Sequence, residues 1–216
     1  MSKVIAFSGG CGSGKTTTIA KIKNILTEQT GLNVVILNEL LREKTDIPID
    51  KLRKSPSDYL LLQDTIIREK IKQECEAFND KSNTVYLVDR AITDSIFYLE
   101  NYVDKSVLSE NEIAILCELD AKARAHANYA FTKGYSCVLE FEPLYIQNND
   151  KYRPEFLDHL RFYEYTAIQT LNIAYNAKCF CGKNFYSTYN LHIDSVEAIA
   201  KKICKIIKNK WLCFHL

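Results

Sequence analysis

No charge of one sign dominates this chain: 28 Lys and Arg stand against 27 Asp and Glu, a formal net charge of +1. That balance supplies no global field to draw the protein onto a polyanion, which nucleic-acid binders achieve with a basic face or stripe. Hydrophobic runs are short as well. None approaches the ~20 apolar residues that a membrane-spanning helix needs. The first residues enter a β-prone segment with no basic region, apolar stretch and small-residue cleavage site in series, so no secretory leader is expected. Nor do any two of the eight cysteines (Cys11, Cys75, Cys117, Cys137, Cys179, Cys181, Cys204, Cys213) stand at the C-x2-C spacing of zinc and redox motifs. With no leader, they read as reduced thiols of a cytoplasmic protein. Cys179 and Cys181, with His192 downstream, lack the second pair that would complete a tetrahedral metal site. Internal repeats and low-complexity linkers are also missing.

What is present is an ordinary globular composition, 47% hydrophobic and 25% charged. At roughly 100 to 200 residues per domain, 216 residues make one domain with a single sizeable core. Apolar periodicity alternates between strand and helix. Val4 to Ser8 is a β-prone run ending at Gly9 and Gly10, followed by helical spacing at Ile19, Ile22 and Leu26, which Gly31 closes. Val34 to Leu37, Val85 to Val88 and Cys137 to Phe141 read as further strands. Asn184 to Tyr189 competes with Lys178 to Cys181 for a fifth. Between them lie a polar stretch over 41–55 and a helix over 57–78 with Ser55 as its cap. Another helix begins at Ile92. A capping box at Ser109 and Glu112 opens one that runs to about Thr132, where Gly134 stops it. The spacing then predicts a helix over 154–174 and a last one from Asp194 carrying Val196, Ile199, Ala200, Ile203 and Ile207. Such alternation specifies an α/β fold, a five-stranded parallel sheet with helices on both faces. The lysine-rich tail, Lys201 to Leu216, is expected to be a core helix whose apolar end packs on the domain or on a second subunit, a homodimer.

Gly9-Gly10-Cys11-Gly12-Ser13-Gly14-Lys15-Thr16 fits G-x-x-x-x-G-K-[ST] without a mismatch, between a predicted strand and a predicted helix. Its glycines let backbone N–H groups turn inward on a phosphate at the positive end of the helix. Lys15 then reaches the outer phosphates of ATP, Thr16 offers its hydroxyl to Mg²⁺, and Thr17 completes the nucleotide-binding set. Asp89, at the end of the third strand, is the candidate metal carboxylate, or a cap for the next helix. Strand ends in an open parallel sheet converge on the ligand. That rule brings Glu39 to the same crevice, where a carboxylate can accept the proton of an attacking hydroxyl. Arg42, Arg90 and Arg153 are candidates to neutralise phosphate charge, Arg153 from a proline-bounded segment over 143–155 that reads as a lid. Tyr59, Gln63 and Tyr98 are candidates to line an acceptor pocket.

Taken in order, the strings NELLREK (Glu39, Arg42), VYLVDRAITDSIFYL (Asp89, Arg90, Asp94) and YIQNNDKYRPEF (Asp150, Arg153) resemble the AAA-type ATPase and kinase family. That family includes the nicotinamide riboside kinase domain of the bacterial NAD-biosynthesis regulator. The likeness extends over nearly the whole chain and is shared with deoxynucleoside and thymidylate kinases. It implies a P-loop NTPase fold with a lid and phosphoryl transfer from ATP. It also implies roles: Glu39 as base, Asp89 as metal-organising carboxylate, Arg90 and Asp94 on the substrate side, and Arg153 as lid arginine. Ala91 departs from the Ser of deoxynucleoside kinases and the Tyr of thymidylate kinases. The lid offers one clear arginine where those families often carry more.

The expected activity is therefore a kinase acting on a small nucleoside-like acceptor. Its competitors are a nucleotide-hydrolysing switch and a kinase of nucleic acid. The guanine-reading Asn-Lys-x-Asp pattern is missing, since Asn209-Lys210-Trp211 is followed by Leu212, and the balanced charge disfavours nucleic acid.

Overall fold

The structure, a computed structural model, describes residues 3–10, 13–47, 49–52, 54–103, 105–142, 185–189 and 194–212. Five parallel strands, β1 (Lys3–Ser8), β2 (Asn33–Leu37), β3 (Thr84–Asp89), β4 (Cys137–Phe141) and β5 (Phe185–Tyr189), lie in the order β2-β3-β1-β4-β5. The expected α/β sheet is thus present, with 185–189 supplying the fifth strand. The first two strands are not neighbours, because β3 lies between them. Register pairs Phe7 with Asp89 and Ser8 with Glu140, so the carboxyl ends of β1, β3 and β4 form one edge.

Alternate residues of β1 face opposite layers, as the two-residue period of a strand requires. Val4 and Ala6 join one buried cluster with residues of α4 (Pro56–Asn79), α5 (Ile92–Tyr102) and α6 (Glu110–Tyr129). Ile5 and Phe7 join the other, with α1 (Lys15–Thr30) and α7 (Val196–Leu212). Both faces are covered, which is why these strands read as continuous apolar runs.

Local chemistry sets the helix ends. Gly31 takes φ 66° and donates its N–H to the Thr27 carbonyl, closing α1. The capping box of α6 is formed in both directions between Ser109 and Glu112. That helix continues into a π turn over Ala130–Gly134, where a Cβ on Gly134 would stand 2.5 Å from the Phe78 ring. Ser55 precedes Pro56 as expected, but its hydroxyl donates to the Asp58 carboxylate at 2.6 Å and caps no backbone N–H. The polar stretch after β2 holds two one-turn helices, α2 (Leu41–Lys44) and α3 (Ile49–Leu52). On α7, Ile199, Ala200, Ile203 and Ile207 are buried against α1 while Lys201, Lys205 and Lys208 are exposed, the core-helix arrangement expected of it. No described helix is long and apolar enough to cross a membrane. The expected lid over 143–155, the helix over 154–174, the run Lys178–Cys181, and His192 lie outside the described residues.

Candidate functional site

The phosphate-loop residues leave β1 at Gly9, whose φ of 131° lies in the region open to glycine. A side chain is excluded there on a second ground: a Cβ would stand 2.4 Å from the Phe141 carbonyl oxygen. Gly14, at φ 77°, is the N-cap of α1. Between them Ser13 donates its hydroxyl to the Gly10 carbonyl at 3.0 Å; Cys11 and Gly12 lie outside the described residues. Lys15 is buried inside this turn. Its Nζ donates to the carbonyls of Gly9 (2.7 Å) and Gly10 (2.8 Å) and to Ser13 Oγ (3.0 Å). Burial first, and the Arg90 charge second, lower its pKa, while Asp94, Asp89 and Glu39 act in the opposite direction. The loop lysine therefore feels four charged groups from the ends of β2 and β3 and the start of α5. Thr16 and Thr17 are exposed on the first turn of α1, where free N–H groups favour an anion.

Thr16 Oγ1 donates to Asp89 Oδ2 at 2.7 Å. The other oxygen, Asp89 Oδ1, is buried with no hydrogen-bond partner. A buried carboxylate oxygen left without a partner is costly, and one beside a hydroxyl at a phosphate-binding helix suits a hard cation that prefers oxygen ligands. Thr16 and Asp89 thus fit Mg²⁺. The capping alternative for Asp89 falls away: Ala91 is the N-cap residue of α5, and the free N–H of Ile92 in its first turn is taken by the Tyr135 hydroxyl. Among the described residues no group of three or more His, Cys, Asp and Glu forms a separate metal cluster.

Beyond Asp89 the chain turns sharply. Arg90 has φ 72°, the one described residue other than glycine with positive φ. Its Nε donates to Glu39 Oε1 at 2.5 Å, and its Nη1 donates to the Tyr98 hydroxyl at 2.8 Å and lies 3.9 Å from Asp94 Oδ2. The guanidinium carbon stands 5.0 Å from the Tyr98 ring centre. Burial opposes the charge of Arg90, yet Glu39, Tyr98, Asp94 and Asp89 together hold its pKa well above the ordinary value. Asp94, fully buried, accepts a short hydrogen bond from Ser8 Oγ, and its Oδ2 has no hydrogen-bond partner. Burial pushes its pKa up to about 6 against the Lys15 and Arg90 charges.

Sequence reasoning brought Lys15, Thr16, Glu39, Asp89, Arg90, Asp94 and Tyr98 to one crevice, and the structure gathers all seven. Gln63 is buried on α4, two turns before Lys70 on the same face. Tyr59 belongs instead to the core between α4 and the sheet, so its lining role gives way to packing. The Arg42 side chain and all of Arg153 lie outside the described residues. Two contributors had not been foreseen. Ser8, the last residue of β1, ties the loop entrance to Asp94; Lys70 donates to the Asp89 carbonyl at 3.2 Å. The available signal for Lys70 was a charged pair, Lys70 and Glu74, standing in the buried stripe Ile66, Ile67, Lys70, Glu74, Ala77 of α4.

A strand, a phosphate loop and a helix, with a neighbouring parallel strand returning a carboxylate to the loop threonine, define a P-loop NTPase fold of the kinase-like type. The chain belongs to an AAA domain family, AAA_28, whose model matches residues 4–180. Among solved structures it is similar to the NadR protein in complex with NAD and AMP-PNP, with TM-score 0.55 and 16% identity over 93% of this chain and 49% of that one. The NadR protein in complex with NR gives TM-score 0.59 and 16% identity over 93% of this chain and 51% of that one. Thymidylate kinase from Ehrlichia chaffeensis gives TM-score 0.51 and 15% identity over 96% of this chain and 98% of that one. The chain spans about half the length of the NadR chains. No protein of curated function matches it in sequence.

Proposed function

We propose that this chain is a cytoplasmic, ATP-dependent kinase that transfers the γ-phosphoryl group to a hydroxyl or phosphate of a small nucleoside-like acceptor. The observation that carries the reading is the pairing of Glu39 with Arg90 beside Lys15 and Asp89. It sets a carboxylate and a guanidinium together at the strand ends, next to a phosphate loop. A switch that only hydrolyses its nucleotide has no need of such a second charged subsite. The names of the structural neighbours, a NadR protein with NR and a thymidylate kinase, support acceptors of nucleoside and nucleotide type.

In this reading the loop glycines and the α1 N-terminus bind the phosphates, and Lys15 leaves its carbonyl partners to meet the outer ones. Thr16 and Asp89 hold Mg²⁺, which when bound neutralises phosphate charge. Glu39 accepts the acceptor's proton as its oxygen bonds to the γ-phosphorus and the bond to the bridging oxygen breaks. Arg90 orients Glu39 and stabilises charge on the transferring group, as Arg153 would from a lid. Positioning and charge stabilisation dominate such chemistry.

The test is ADP release with Mg·ATP across nucleosides, nucleoside monophosphates and nicotinamide riboside, with Lys15→Ala as control. One acceptor should raise turnover well above background, and the variant should lose it by a factor on the order of 10² to 10³, the usual consequence of removing a preorganised donor to transition-state charge. A rate that no small acceptor changes, with ATP still bound, would refute the proposal. Stimulation by DNA or RNA alone would favour the nucleic-acid kinase.

A further inference from the structure

Behind the site lies a buried polar cluster that none of the roles above uses. Its centre is Glu74 on α4, fully buried. Glu74 Oε1 accepts the Tyr135 hydroxyl at 2.7 Å and lies 3.6 Å from Lys70 Nζ, while Oε2 lies 2.8 Å from His126 Nε2. Lys70, Tyr135 and His126 are themselves buried, and His126 Nδ1 continues to Cys75 Sγ at 3.9 Å. Burying an ionised carboxylate with a lysine is costly in desolvation, and apolar groups of the same volume are often as stable. Stability alone therefore gives no account of the cluster.

Its two arms do. Lys70 Nζ donates to the carbonyl of Asp89 at 3.2 Å, and the Tyr135 oxygen accepts the N–H of Ile92, also at 3.2 Å. Between those two backbone atoms lie only Arg90 and Ala91. Arg90 is the residue at φ 72°, a conformation that a side-chain-bearing residue keeps only where its surroundings over-determine it. The bracketed peptide also fixes where the Asp89 carboxylate, at one end, and the Arg90 guanidinium, in the middle, are presented.

We propose that Glu74 is a positioning residue, the hub of a Lys70–Glu74–Tyr135 clamp that grips the Asp89–Ile92 turn at both ends and so aims Asp89 at Thr16 and Arg90 at Glu39. The structural part stands by itself; the functional part rests on Asp89 holding Mg²⁺ in the kinase reading.

Two variants of the full chain test it. Lys70→Met/Glu74→Gln removes both buried charges together, so neither is left alone, and Tyr135→Phe removes one oxygen at constant ring volume. The first readout is hydrogen exchange. In both variants the peptide over 89–95 should exchange about tenfold faster, the consequence of losing one buried hydrogen bond. Protection of Lys3–Phe7 in β1 should be unchanged, which a general loss of stability would not produce. The second readout is ATP affinity with and without Mg²⁺. Mg²⁺-free affinity should stay near wild type, while the gain on adding Mg²⁺ falls toward that of Asp89→Asn. Wild-type exchange over 89–95 in Tyr135→Phe overturns the clamp whether or not the double variant folds, and a wild-type Mg²⁺ effect in both variants, where Asp89→Asn loses it, overturns the positioning role of Glu74. Failure of the kinase reading would appear separately, as wild-type turnover that no acceptor stimulates.

Discussion

Asp94 shows how strongly one residue's setting can alter its chemistry. It lies in the first turn of α5, hydrogen-bonded to Ser8 and enclosed, and burial raises its pKa from 3.8 to about 6. A carboxyl raised in this way binds its proton more tightly in the folded state, so its contribution to stability is complete below about pH 4 and is lost as pH rises through 6. A displacement of about two pH units corresponds to roughly 3 kcal/mol at most. Asp94→Asn mimics the protonated form, so its urea midpoint should gain on that of wild type between pH 5 and pH 8. Parallel profiles over that range would refute the assignment. At this scale the sequence was legible where a motif carries meaning by spacing: Lys15, Thr16, Asp89 and Glu39 all stand where their positions predicted. Ser8 and Tyr135 were not, because a serine closing a strand and a tyrosine after a helix say nothing about partners 86 and 61 residues away.

Elements followed their local signals with small displacements. α6 begins where the Ser109 and Glu112 letters said it would, and the reciprocal bonds of the capping box are formed. Ser109→Ala should therefore cost about 1 kcal/mol, the usual worth of a lost N-cap, read as a lowered urea midpoint with unchanged slope. A change within error would mean that the cap contributes nothing. The end of α6 was less legible. The helix ends in a π turn over Ala130–Gly134, and a Cβ on that glycine would stand 2.5 Å from the Phe78 ring, a neighbour that comes from α4. Ser55 teaches the same lesson in reverse: its position before Pro56 is that of a cap, yet the Asp58 carboxylate takes its hydroxyl.

In the whole molecule the sheet is sealed on one side by α1 and α7, the last described helix covering the first. Ile203, fully buried in that layer, should cost about 2 to 5 kcal/mol when cut to Ala, as buried aliphatic truncations do. The loss should appear in a single cooperative transition; a separate early transition for α7 would show that the helix is an appendage. The amino-acid sequence by itself determined the α/β class, the strands β1 to β4, the long described helices and the phosphate loop. These depend on the period of apolar residues and on glycines at fixed offsets, both local properties of a chain. Only the tertiary structure decided that β3 lies between β1 and β2, that Tyr59 packs in the core while Tyr98 meets Arg90, and that Glu74 reaches both ends of the turn after Asp89. Each of those joins residues distant in the chain, and such pairings are set by which faces the packed layers bring together, not by spacing along the chain.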